Sequence, residues 1–172
     1  MNLTFDTAAL TDFVNANRDL CVPFVFALAI GESLALVSLF LPATVILLAF
    51  AGLIGTTGIS IWPIWIAAGL GAFLGYALSY AIGAFYKDRI DTHAPFRYYP
   101  QVMSASRRFF QRYGVMAVFL GHFIGPGRAF VPVVAGVLSV PFVHFQIANL
   151  ASSFLWATLV LSPAHISSFV AH

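Results

Sequence analysis

Four stretches of the chain run almost wholly apolar: Val22 to Leu53, Trp62 to Tyr86, Val115 to Val140 and Phe142 to Leu161. Runs of this length mark helices in lipid. As one helix the first stretch, VPFVFALAIGESLALVSLFLPATVILLAFAGL, would be about 48 Å long, well over the roughly 30 Å hydrocarbon core. It carries Glu32 and Pro42, and proline removes a backbone donor and clashes with the preceding turn. A break is therefore expected near Leu41-Pro42-Ala43. The part before it is just long enough to span, whereas Thr44 to Leu53 covers about 15 Å, half a bilayer. The stretch from Val115 to Val140 breaks at Gly125-Pro126-Gly127, leaving arms of about 15–20 Å, too short to span separately. Trp62 to Tyr86 is the cleanest spanning helix, at about 37 Å. Phe142 to Leu161 is the last, with Asn149 and Trp156 inside it.

The order is interrupted stretch, spanning helix, polar segment, interrupted stretch, spanning helix. It repeats one unit without detectable sequence identity between the copies. If each interrupted stretch enters and leaves the membrane on one side, the helix at Trp62 to Tyr86 reverses the second copy. The expected fold is an all-α integral membrane protein, with two opposing re-entrant helical hairpins plus spanning helices in an inverted repeat and a site between the hairpins near the midplane. Its parts, in one domain over 1–172, are a short N-terminal segment (1–20), a first hairpin with its spanning helix (22–86), a basic segment (87–113) and a second hairpin with its spanning helix (114–162). In the first spanning helix Ala67, Gly71, Gly75, Ser79 and Gly83 recur every four residues. They form one small-residue face that lets a neighbouring helix approach closely, within one chain or between two copies. Trp62, Trp65, Tyr80 and Tyr86 are candidate interfacial anchors.

Composition supports lipid as the solvent. Of 172 residues, 60% are hydrophobic and 8% charged, against about 25% charged in a typical soluble domain. The net charge of +2 is too small to suggest nucleic acid. Lys87, Arg89, Arg97, Arg107, Arg108 and Arg112, six of the eight basic residues, fall in one segment, which the positive-inside rule puts in the cytoplasm. The later part of that segment, QVMSASRRFFQRYG, reads as a surface helix at the headgroups. Cys21 is the only cysteine and cannot form an intrachain disulfide. The first nineteen residues hold three aspartates and one arginine, so a cleaved signal peptide is not expected.

Three ionisable residues lie deep in the interrupted stretches: Glu32, His122 and Arg128. A charge at the bilayer centre costs about 2.5–3.5 kcal/mol on insertion scales, so these groups need partners. The simplest arrangement pairs Glu32 with Arg128 across the hairpins. That pair either merely ties the hairpins together or forms an anion site, with Glu32 as proton carrier. A guanidinium fork matches two phosphate oxygens, and the backbone donors at the start of the arm after Gly127 add attraction for an anion. His122 could gain or lose a proton near neutral pH. Asn149 suits an interhelical hydrogen bond. No metal cluster, phosphate-binding loop or triad spacing occurs, so no cofactor, metal or enzymatic activity is expected.

Phe109 to Trp156 resembles the DedA family, also called SNARE-associated or VTT-domain proteins. The matching positions are Tyr113-Gly114, Gly121-His122-Phe123, Pro126, Arg128, Ala135-Gly136, Phe145, Asn149 and Trp156. Glu32, followed by LPAT ending at Thr44, is similar to the family's acid and proline motif, and GAFLGYALSYAIG (Gly71 to Gly83) to its glycine-rich helix. The resemblance covers about Ala29 to Trp156. It implies two facing re-entrant hairpins, a bacterial inner-membrane location, and roles in membrane homeostasis, functions dependent on the proton-motive force, and recycling of undecaprenyl phosphate. The family's functional acid and basic residue fall on Glu32 and Arg128. The family's second acid is Thr44 here, and its first arginine is His122. Many members carry another helix after the tryptophan-bearing one, so this chain is expected to be short or truncated.

The expected function is movement of an anionic lipid phosphate, such as undecaprenyl phosphate, between leaflets. Arg128 and His122 would hold the headgroup, Glu32 would carry a proton, and Thr44 and Asn149 would be polar lining. The alternatives are a proton-coupled antiporter of a small ion or molecule and a non-transporting assembly factor. Membrane lipids and protons are the expected partners, with a homo-oligomer left open.

Overall fold

The structure is a computed structural model that describes residues 12, 14–34, 37, 43–55, 57–87, 98, 100–123, 128, 130–162 and 164. Among these residues the chain is helical, with no strand. The helices are α1 (Arg18–Ser33), α2 (Ala43–Ile54), α3 (Ile61–Phe85), α4 (Pro100–Tyr113), α5 (Met116–Gly121), α6 (Phe130–Val137) and α7 (Phe142–Val160). Pro42, Gly125, Pro126 and Gly127, the expected breaks, lie outside the described residues, as do Arg89 and Arg97.

Two helices, α3 with 25 residues and α7 with 19, are long and apolar enough to cross a membrane. Their ends fall within a residue of those expected from the sequence. They run antiparallel. Trp65 Nε1 donates to Thr158 Oγ1 at 2.9 Å, Asn149 Nδ2 to the Phe73 carbonyl at 3.0 Å, and Tyr80 packs on Phe142 and Phe145. Tyr80, expected at an interface, is instead half-buried and gives its hydroxyl to the Val140 carbonyl at 2.7 Å. Leu70, Leu74 and Leu78 on α3 and Val143, Ile147 and Leu150 on α7 are exposed. An apolar exterior on two such helices suits lipid rather than water.

The first apolar stretch differs from expectation. α1 begins at Arg18 and ends at Ser33, well before the expected break near residues 41–43. Its 16 residues reach about 24 Å, short of a full span. The reason lies at its end. Leu34 turns extended (φ −79°, ψ 125°) while its N–H donates to the Ile30 carbonyl. The Ser33 carbonyl, left without a helical partner, accepts from Ser79 Oγ at 3.2 Å. A helix end in an apolar interior requires such a donor. The arms of the second stretch are also shorter than expected: α5 has 6 residues and α6 has 8, about 9 and 12 Å.

α3 is the hub. The Gly71–Gly75–Ser79 face receives α1 in the same chain direction, and Gly83 receives α6. A Cβ on Gly71 would stand 2.7 Å from the Phe26 carbonyl oxygen, and one on Gly75 would stand 2.8 Å from that of Ile30. The small-residue row is thus filled within the chain, by α1 over most of its length and by α6 at its end. One core cluster joins α1, α2 and the first half of α3 to the second half of α7, around Leu47, Ala68 and Trp156. The other joins α4, α5 and α6 to Tyr76 and Phe145.

α4 is the segment read as a surface helix. It buries Ser106 and Phe110 and exposes Arg108, Gln111 and Arg112. Pro100 opens this helix, where its missing N–H is not needed. Gly114 closes it at φ 56°, donating its N–H to the Phe110 carbonyl at 2.8 Å. This is the left-handed cap that favours glycine.

Candidate functional site

Glu32 sits one residue before the end of α1 and is 3% exposed. Its Oε1 forms an ion pair with Arg128 Nη2, the contact expected across the two interrupted stretches. Thr44, at the start of α2, donates its hydroxyl to the same Oε1. Arg128 Nη2 lies 3.5 Å from Thr44 Oγ1, the outer limit of a hydrogen bond. Glu32 Oε1 therefore lies between the Thr44 hydroxyl and the Arg128 guanidinium. Glu32 Oε2 is buried and has no hydrogen-bond partner among the described residues.

Arg128 is positioned by what lies behind it. Its guanidinium carbon is 5.4 Å from the centre of the Trp156 ring, over its face, an arrangement that attracts a cation to the indole. Its carbonyl accepts from the Tyr76 hydroxyl at 3.1 Å. Tyr76 is fully buried in the middle of α3 and stacks on His122, with centroids 4.1 Å apart and rings inclined by 14°.

His122 is 2% exposed. Its Nδ1 lies 3.1 Å from Ser152 Oγ, and Ser152 Oγ donates to the Asn149 carbonyl at 3.1 Å. A serine hydroxyl has one hydrogen. It lies within reach of both the Asn149 carbonyl and His122 Nδ1, so the direction of the His122–Ser152 bond follows the imidazole tautomer. Asn149 is fully buried and divides its donors between the Phe73 carbonyl and Gln146 Oε1, while its own Oδ1 accepts from Ser153.

The site residues named from sequence thus fall into two groups. Glu32, Arg128 and Thr44 touch one another. His122 and Asn149 form a second polar layer along α7, joined to the first through Tyr76. Gly71, Gly75 and Ser79 hold α1 at the level that brings Glu32 here, and Gly83 holds α6. Sequence reading missed Tyr76 and Ser152. Tyr76 left one signal, a tyrosine at the centre of a spanning helix when the usual place is the interface. Ser152 left none, since a serine in a spanning helix usually bonds its own backbone.

Comparison with known proteins gives the chain its relatives. The VTT domain model matches residues 41–165. The inner membrane protein YabI of Escherichia coli is 29% identical over 156 residues, covering 91% of this chain and 61% of YabI. An uncharacterized membrane protein of Buchnera aphidicola is 28% identical over 158 residues, 92% of this chain and 62% of the relative. An uncharacterized membrane protein of Mycobacterium tuberculosis is 33% identical over 143 residues, 78% of this chain and 66% of the relative. The chain therefore spans about three fifths of the length of the first two. None of the solved structures matches. With the family model covering most of the chain and the relatives described as membrane proteins, this chain is a membrane protein of the VTT-domain (DedA) family.

Proposed function

We propose that this chain forms the core of a lipid transporter that moves an anionic lipid phosphate between leaflets, with undecaprenyl phosphate as the candidate substrate, coupled to protons and without enzymatic turnover. The observation that carries the reading is the buried Glu32–Arg128 pair with one carboxylate oxygen unsatisfied. Intramembrane charges mark pathways for ions and substrates. In a pair serving only as a tie, hydrogen bonds would satisfy both oxygens.

Two opposed re-entrant hairpins fit the packing. α1 ends against Gly75 and Ser79 of α3, having run alongside from Gly71. Arg128 and His122, between α5 and α6, meet the same level at Tyr76, and α6 then continues to Gly83. Glu32 and Arg128 thus reach the middle of α3 from opposite ends of that helix, which supports an inverted repeat. In this reading the lipid lies in the inner membrane of a bacterium and the basic segment 87–113 faces the cytoplasm.

The phosphate competes with Glu32 for Arg128, whose fork suits two phosphate oxygens. Once displaced, Glu32 is a buried carboxyl without a cation and takes up a proton. Return of Arg128 releases it. Thr44, where the family carries a second acid, hands the hydroxyl contact from one partner to the other. The burial of His122 favours a place behind Arg128 rather than against the lipid. The isoprenoid tail stays in the bilayer beside the apolar exterior.

The test is translocation of a polyprenyl phosphate in liposomes holding the purified protein, with and without a pH gradient. Gradient-sensitive translocation that is lost in both Glu32→Gln and Arg128→Ala is the expected result. Translocation that ignores headgroup charge, or that persists in Arg128→Ala, would sink the proposal. Proton-coupled flux of small ions without lipid movement would establish the antiporter instead.

A further inference from the structure

The position of Arg128 depends on its backbone as much as on its ion pair. α3 offers two adjacent residues to the two halves of the site. Gly75 admits the end of α1: a Cβ there would lie 2.5 Å from Ser33 Cβ and 2.8 Å from the Ile30 carbonyl oxygen. The next residue, Tyr76, donates its hydroxyl to the carbonyl of Arg128 itself at 3.1 Å. One turn of one helix therefore sets the register between Glu32 and Arg128.

The Tyr76 ring has little freedom. It is fully buried, and one face is covered by the His122 imidazole at 4.1 Å. His122 is itself oriented by the hydrogen bond between its Nδ1 and Ser152, which also bonds the Asn149 carbonyl, and Asn149 is tied back to α3 at Phe73. This closed circuit of α3, His122 and α7 locks the phenol that grips Arg128. The same helix α7 supplies Trp156, over which the guanidinium lies at 5.4 Å.

We infer that Tyr76 is the positioning residue for Arg128, and that His122 holds Tyr76 in place rather than binding the lipid phosphate. The inference rests on the transport reading for its functional consequence. Its structural content stands apart: removing the Tyr76 hydroxyl loosens the Glu32–Arg128 pair. Misplacement of a substrate-binding group by an ångström costs up to about a hundredfold in rate.

Tyr76→Phe tests this, since it deletes the hydroxyl and keeps the ring against His122. It is expected to lower lipid-phosphate translocation about tenfold, by raising the lipid concentration needed for half-maximal rate. Its Tm shift in detergent should fail to add to that of Glu32→Gln, because both changes weaken one pair. His122→Phe, which preserves an aromatic face, should retain translocation where His122→Ala loses it. Wild-type rates in Tyr76→Phe, additive Tm shifts, or a folded but inactive His122→Phe would each overturn the inference. If the wild-type protein moves no lipid, the transport reading falls, and the Tm cycle alone decides the positioning role.

Discussion

Arg128→Ala is expected to destabilise the protein by about 3–5 kcal/mol, the cost of stranding one member of a buried ion pair. Glu32 is 3% exposed, and with Arg128 gone its Oε1 keeps only the Thr44 hydroxyl while Oε2 stays bare. The Trp156 face loses its cation as well. The expected signature is rescue. In the Glu32→Gln/Arg128→Ala double variant the stranded charge is gone, so most of the lost stability returns although the site stays inactive. Thermal denaturation in detergent checks this. A double variant no more stable than Arg128→Ala would mean that the pair is not what the single change disrupts.

The second large effect belongs to a pair of glycines outside the Glu32–Arg128 site. A Cβ on Gly83 would overlap the Val133 carbonyl oxygen and lie 2.8 Å from the Val133 carbonyl carbon. A Cβ on Gly136 would overlap the Tyr80 carbonyl oxygen and stand 2.6 Å from the Ala84 nitrogen. The neighbouring atoms are backbone, which cannot swing aside. Leucine at either position must push α3 and α6 apart, at a cost of about 3 kcal/mol or more, the upper end of the range for overpacking. Because α6 leads from Arg128, Gly83→Leu should also disturb the site. The control is Gly52→Ala in α2, where an added Cβ meets nothing within 4 Å. That change should be neutral, or stabilising by up to about 1 kcal/mol through helix propensity. Equal loss of Tm in Gly83→Leu and Gly52→Ala would refute the packing argument.

What could be read from the sequence was what depends on periodicity and burial cost. Uninterrupted apolar length placed α3 and α7 almost to the residue. The small-residue row showed which face of α3 would be approached, because its period of four is local. The cost of an intramembrane charge was enough to pair Glu32 with Arg128 across nearly a hundred positions of chain. The end of α1 was not legible. Proline near residue 42 looked like the break, yet the helix stops at Ser33, whose carbonyl accepts from the hydroxyl of Ser79, a distant residue. Tyr76 and Ser152 escaped notice for the same reason: their partners, the Arg128 carbonyl and His122, are brought to them by tertiary packing. His122 reads as a headgroup ligand in sequence because it stands where the family carries its first arginine. In the structure one face of its ring is covered by Tyr76 and its Nδ1 hydrogen-bonds with Ser152.

The proposed transport turns on exchange: lipid phosphate would replace Glu32 on Arg128, and Glu32 would then take up a proton. The direct measurement is proton uptake when a short-chain polyprenyl phosphate is added to the purified protein in weakly buffered detergent. The wild type is predicted to take up about one proton per lipid bound, because a buried carboxylate deprived of its cation neutralises. Glu32→Gln is predicted to bind the lipid with no such uptake. Binding to the wild type without proton uptake, or equal uptake in Glu32→Gln, would contradict the exchange.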